Sequence, residues 1–210
     1  MKPVITLADL ATVAGGAELR IPKGALVTPA ARDQAALRHI RLVEVCADEL
    51  SPASPDRIVA LGADHGGYRL KETLKPVFGE LSLELRDVGV HEEKPADYPD
   101  IAQQVAELVA SGAASRGVII DGAGIGSAMA ANKVPGIRAA LCYDKASARN
   151  SREHNNANIL TLGGRLLTET QARDVLYTWL TTPFAGGRHA ARVAKIAGLE
   201  RRYRTWTPNP

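Results

Sequence analysis

Aromatic side chains are scarce in this chain, 4% of 210 residues, which argues against a surface that stacks single-stranded bases. Cysteine is nearly absent. Cys46 and Cys142 are the only two, too few for a disulfide framework, so a reducing cytoplasm is the expected compartment. No apolar run is long enough to cross a bilayer, and no charged start with an apolar core marks a signal peptide. Net charge is +3, and basic residues are spread out until the C-terminus, so neither nucleic acid nor membrane is expected as a partner. No Gly-x-Gly-x-x-Gly turn follows the first strand of the main domain, no Walker lysine occurs, and no Cys/His spacing suggests zinc. No metal and no cofactor are therefore expected.

What the chain does have is apolar content, 45%, enough for one α/β domain of about 150 residues and a smaller piece. Residues 1–46 read as a small α+β module. Val4-Ile-Thr is a short strand, and Thr6 caps a helix over Leu7–Ala14 with Asp9 completing a capping box. Glu18-Leu-Arg-Ile is a strand, Ala25-Leu-Val a short apolar segment, and Thr28-Pro29 opens a helix to about Arg38. Ile40–Cys46 closes the module. Residues 47–56, polar with two prolines, read as a linker.

From Arg57 strands and helices alternate. Strands are expected at Ile58–Gly62, Leu83–Val88, Gly117–Ile120, Ile137–Cys142 and Asn158–Gly163, with helices over Tyr68–Phe78, Tyr98–Ser111, Ser127–Asn132, Lys145–His154 and Thr168–Thr181. Five strands alternating with helices predict an α/β, three-layer Rossmann-like domain on a five-stranded parallel sheet. A short basic helix follows Pro183, and residues 199–210 form a basic tail.

The chemistry gathers after the strands. Asp121 ends the β-branched run Val118-Ile-Ile120 and is followed by Gly122-Ala-Gly-Ile-Gly126. A turn of this kind leaves backbone N–H groups to face an anion. Asp64-His65 follow the first strand, and His154-Asn155 end the helix after the fourth. All are expected to converge on the carboxyl edge of the sheet, where open α/β folds hold ligands. Arg188 and Arg192, four apart, share a helix face that suits a phosphate dianion; the plain alternative is a solvated basic face.

Several motifs together carry a resemblance: Gly62-Ala-Asp-His-Gly-Gly67, Asp97-Tyr-Pro-Asp100, Ala130-Ala-Asn-Lys-Val-Pro-Gly-Ile-Arg138, Ser151-Arg-Glu-His-Asn-Asn-Ala-Asn158 and Phe184-Ala-Gly-Gly-Arg-His-Ala-Ala-Arg192. Residues 57–198 resemble the family of ribose-5-phosphate isomerase B and the galactose-6-phosphate isomerases. The resemblance implies metal-independent interconversion of aldose and ketose phosphates through a cis-enediolate, with ribose 5-phosphate as first substrate and a tetrose or hexose phosphate as alternatives. It implies that His154 opens the sugar ring, that Asp64, His65 and Tyr98 line the pocket, and that Asn155 binds a sugar oxygen. Arg188 and Arg192 would hold the phosphate with help from His65. Gly122, Ala123, Gly124 and Gly126 would offer N–H groups to the enediolate oxygen. It further implies a homodimer or homotetramer with sites shared between subunits.

The chain departs from that pattern at the base. Many members have cysteine at the position of Asp121, in a Cys-Gly-Thr-Gly turn; others carry glutamate where this chain has Ser127. A carboxylate is ionised at neutral pH without activation, whereas a thiol must first be deprotonated. Asp121 is therefore expected as the C2 base. The competing reading is a sugar-phosphate-binding protein without turnover. Residues 21–32 and the strand at Ile40–Val45 resemble a small module of bacterial microcompartment proteins, implying contact with shell or cargo, or else only support for a dimer.

Overall fold

The computed structural model describes residues 3–11, 13–45 and 57–203. It divides into two compact units, residues 1–54 and 55–210. Cys46, the expected linker 47–56 and residues 204–210 lie outside the described residues.

The first unit contains β1 (Val4–Ile5), α1 (Leu7–Leu10), β2 (Glu18–Pro22), β3 (Leu26–Val27), α2 (Pro29–Leu37) and β4 (Arg41–Val45). Its strands pair in two parallel ribbons, β1 with β3 and β2 with β4. The Asp9 carboxylate accepts from the Thr6 N–H at 2.7 Å and the Thr6 hydroxyl at 2.9 Å. α1 is nonetheless a single turn, shorter than Leu7–Ala14. Thr28 caps α2 by accepting from the Ala31 N–H, with Pro29 at the first helical position. Leu10, Ala31, Ala35 and Ile40 form its small core.

The second unit runs β5 (Ile58–Ala63), α3 (Tyr68–Glu80), β6 (Glu84–Asp87), α4 (Tyr98–Ala110), β7 (Arg116–Asp121), α5 (Ile125–Ala131), β8 (Ala139–Leu141), α6 (Lys145–Glu153), β9 (Ile159–Gly163), α7 (Glu169–Thr181) and α8 (Arg188–Tyr203). The five strands form one parallel sheet in the order β6-β5-β7-β9-β8. Strand alternation divides the apolar runs between two cores. Val118, Ile120, Leu160 and Leu162 face Leu74, Phe78, Leu176 and Trp179 of α3 and α7. Ile119 and Ile159 face Ala102, Val105 and Ala106 of α4. A strand covered on both faces needs apolar residues at successive positions, which is why Val118-Ile-Ile is unbroken.

The chain leaves β5 to one side for β6, then crosses to the other side for β7. The crevice at the carboxyl ends of β5 and β7 is thus the topological switch point of the sheet. α8 is a 16-residue helix, so the first residues of the expected tail, 199–203, are helical. Glu200 accepts from the Gly136 N–H at 3.0 Å, which ties that helix to the main unit. No helix among the described residues is long and apolar enough to cross a membrane.

Candidate active site

At the switch point two turns meet. Asp64, directly after β5, is buried, and its carboxylate accepts from the Gly67 N–H at 2.9 Å. A Cβ on Gly66 would stand 3.2 Å from both Asp64 Oδ1 and Gly122 N, so this turn is pressed against the turn after β7. His65 is exposed and its Nδ1 accepts from the Ala96 N–H at 3.4 Å. Tyr98, first residue of α4, lays its ring over Gly126; a Cβ there would approach the ring to 2.5 Å. Gly124 has φ +79° and sits against the backbone of Leu162, a place for glycine alone.

Asp121 stands at the end of β7, 4% exposed. Its Oδ1 accepts from the Ala123 N–H at 2.7 Å and from the Gly124 N–H. Its Oδ2 accepts from the Ser127 N–H at 3.0 Å and the Ser127 hydroxyl at 2.5 Å. A carboxylate has about four lone-pair directions, and four donors take them. Two N–H groups expected to face a substrate oxygen, those of Ala123 and Gly124, are therefore engaged. The physical reason is that a carboxylate directly before a helix N-terminus is itself the anion that site favours. The Gly122 N–H has no acceptor among the described residues.

Sequence reasoning missed Arg165. It follows the Gly163-Gly164 pair at the end of β9, and its N–H donates to the Gly122 carbonyl at 3.0 Å. A Cβ on Gly122 would lie 3.7 Å from Arg165 Cδ and 3.8 Å from its Nε. The guanidinium stem thus overhangs the Asp121 turn. Its place just past a strand's carboxyl end, the criterion that selected Asp64 and Asp121, was the available signal.

The other expected residues are elsewhere. α6 runs antiparallel to the strands, so His154 and Asn155 lie at the amino edge of the sheet, where β9 begins. They do not converge with Asp121 on the carboxyl edge. β9 alone separates the two edges by about 13 Å. The His154 ring stacks on His189 with centroids 4.2 Å apart and planes 3° apart. His154 Nδ1 lies 2.9 Å from Asn150 Nδ2, and Asn155 Nδ2 donates to the Asn150 carbonyl and side-chain oxygens. His189 is buried. Burial, then His154, Arg188 and Arg192, hold its imidazole below the usual value. Arg188 and Arg192, both exposed, rise from the first two turns of α8 beside this stack.

The expected residues therefore fall into two groups at opposite edges of one sheet. Asp64, His65, Tyr98, the Asp121 turn and Arg165 form a carboxyl-edge group; His154, Asn155, His189, Arg188 and Arg192 form an amino-edge group. Among the described residues no set of three or more His, Cys, Asp or Glu side chains gathers around a possible metal position.

Comparison with known proteins agrees with this architecture. Residues 59–196 match the ribose/galactose isomerase family. Ribose-5-phosphate isomerase B of Escherichia coli is 40% identical over 144 residues, 69% of this chain and 97% of that protein. The D-erythrulose-4-phosphate isomerase of Pectobacterium atrosepticum is 38% identical over 144 residues, 68% of this chain and 94% of that protein. The solved ribose-5-phosphate isomerase B of Clostridium thermocellum superposes with a TM-score of 0.68 at 49% identity, covering 70% of this chain and 99% of that one. On its fold, its motifs and these matches, the chain belongs to the ribose/galactose isomerase family.

Proposed function

We propose that the main unit isomerises a small sugar phosphate between aldose and ketose, in sites each built from the carboxyl-edge group of one copy and the amino-edge group of a second. The observation that carries this reading is the division of the family's motif residues between opposite edges of one sheet. A single small sugar phosphate does not bridge them within one chain. A two-fold arrangement lets each edge complete the other, twice.

In such a site Arg188, Arg192 and Arg165 face the phosphate with planar, bidentate donors. His154 moves the proton that opens the ring. Asp121 takes the proton from C2. It needs a free lone pair, and a substrate oxygen supplies one by drawing the Ala123 and Gly124 N–H groups off Oδ1. The N–H groups then stabilise the enediolate oxygen, and Oδ1, stripped of its donors, becomes the stronger base at that step. The same proton returns at C1, while the proton of the C2 hydroxyl passes to the C1 oxygen, leaving a carbonyl at C2.

Ribose 5-phosphate is the first substrate to assay, because relatives at 40% and 49% identity carry its name. A tetrose phosphate comes second, after the relative at 38%. The full chain is assayed on pentose, tetrose and hexose phosphates with and without chelator, beside Asp121→Asn. Chelator-insensitive turnover that falls about 100-fold or more in the variant is expected. Undiminished turnover by Asp121→Asn rejects it as the base. Tight binding without turnover of any sugar supports the second reading, a silent binding protein, which the fully occupied carboxylate favours.

The N-terminal unit lies outside the family match. We propose that it docks the enzyme on a protein of a bacterial microcompartment. Val4, Leu7 and Leu26 are about half exposed, and Val4 and Leu26 are paired neighbours on β1 and β3, an apolar surface suited to a partner. Co-expression with shell proteins tests this. The full chain should partition with shells and a chain beginning at Arg57 should not.

A further inference from the structure

At the amino edge, three arginines converge on one cavity of about 600 Å³, lined by Arg116, Arg138, Arg152, Ser115, Asn156 and Asn158 among others. Arg116 opens β7, Arg138 precedes β8, and Arg152 lies in the last turn of α6. None belongs to the residues assigned above to the substrate.

Each guanidinium is fixed by neutral acceptors. Arg116 donates to the Leu180 carbonyl. Arg138 Nε donates to the Asn156 carbonyl at 2.8 Å. Arg152, 6% exposed, donates to the Ala157 carbonyl and, at 3.4 Å, to the Asn156 side-chain oxygen and the Thr182 carbonyl. The fully buried Trp179 ring lies beneath two of them, 5.9 Å from the Arg116 guanidinium carbon and 5.3 Å from that of Arg152. Among the described residues no carboxylate forms an ion pair with any of the three. The acidic group that acts on Arg138 is Glu200, whose two oxygens both accept from the Gly136 N–H. Burial, then the charges of Arg116 and Arg138, push the Arg152 guanidinium down to about 10. Three cations thus stand around a cavity, and Glu200 acts on Arg138 alone among them.

A buried charge without a partner is costly. Held in place by its Nη1 alone, Arg116 keeps an Nε–Nη2 fork that matches the oxygens of phosphate in paired bonds, and Arg138 and Arg152 keep their Nη2 donors. The volume falls within the range of metabolite pockets. We propose that this cavity is a binding site for a small phosphorylated polyanion, which neutralises the three arginines from outside the fold.

Pyrophosphate is the probe, titrated calorimetrically into the full chain at fixed ionic strength. Arg188 and Arg192 offer a second anion site, so Arg192→Gln is titrated beside Arg116→Gln and Arg138→Gln. The expected result is a class of pyrophosphate sites that survives in Arg192→Gln and weakens about tenfold or more in Arg116→Gln and Arg138→Gln, each loss removing a charge-assisted bond. Arg116→Lys, which keeps the charge and loses the fork, gives an intermediate loss and serves if Arg116→Gln does not fold. Circular dichroism without ligand confirms folding of each variant. Absence of pyrophosphate binding, or binding lost in Arg192→Gln and unchanged in Arg116→Gln, Arg116→Lys and Arg138→Gln, overturns the proposal.

Discussion

Asp121 shows how a residue can be legible while its state is not. Its identity, its place after a β-branched strand and its glycine turn are all plain in the sequence. Its occupancy is not, because the four donors are backbone and hydroxyl groups two to six residues ahead, and only the folded turn aims them. The carboxylate is a cap and, in the proposed reaction, also the base, and substitutions separate the two. Asp121→Asn keeps one acceptor oxygen but turns an amide nitrogen toward two donors, and should cost about 2 kcal/mol or more in chemical denaturation while lowering turnover about 100-fold or more. Ser127→Ala removes the 2.5 Å hydroxyl donor and leaves Oδ2 a free lone pair. If Asp121 is the base, that carboxylate becomes stronger and turnover rises, as a coupled assay at neutral pH would read. A fall in turnover would mean that Ser127 positions the carboxylate rather than restraining it.

At the scale of elements, most strands and helices could be read within a few residues, because parallel strands here are β-branched or leucine-rich and helices start at clear caps. Two readings failed for physical reasons. α1 stops after one turn: the Thr6 hydroxyl donates to Asp9 and caps no helix N–H, and so short a helix gains little from packing beyond Leu10. His154 lies at the opposite edge from the one expected, because α6 carries the chain away from the end of β8. Nine helical residues travel about 13 Å, and in a βα unit that travel is back toward the strand's start.

The pairing of α3 with β6 yields a prediction of its own. Lys71 is fully buried, its ammonium 2.8 Å from both Asp87 oxygens and 2.7 Å from the Val90 carbonyl. Asp87→Asn removes the nearest carboxylate from that ammonium, leaving it the Val90 carbonyl and Glu72 at 3.3 Å, and should cost about 2–3 kcal/mol in urea denaturation. Lys71→Met should cost less, because Lys75 still reaches Asp87 at 2.8 Å. Burial raises the Asp87 carboxyl, but hydrogen bonds from Lys71, Lys75 and the Gly89 N–H outweigh it and hold it below its ordinary 3.8. The unfolded chain then binds the proton more readily. The stability this contributes is present above about pH 4 and is lost as pH falls below it. Acid denaturation of Asp87→Asn should lack that part of the slope.

At the scale of the molecule, the proposed half-sites make a strict prediction about mixtures. Asp121→Asn and His154→Ala should each be inactive alone. Mixed equally and reassembled at random, half the dimers hold one of each chain. Such a dimer has one site with both substitutions and one with neither, so the mixture should recover about a quarter of the parent activity. A mixture as dead as its components would place all the chemistry within one copy.

The opposed placement of Asp121 and His154 has a bearing on how the protein comes into being. If each site is shared as proposed, a newly made copy, folded but alone, holds a base with no ring-opening partner and a phosphate clamp with no base. On the proposed shared-site reading it gains its chemistry on meeting its twin, so the rate in a growing cell would follow the square of a scarce protein's abundance before it follows the first power.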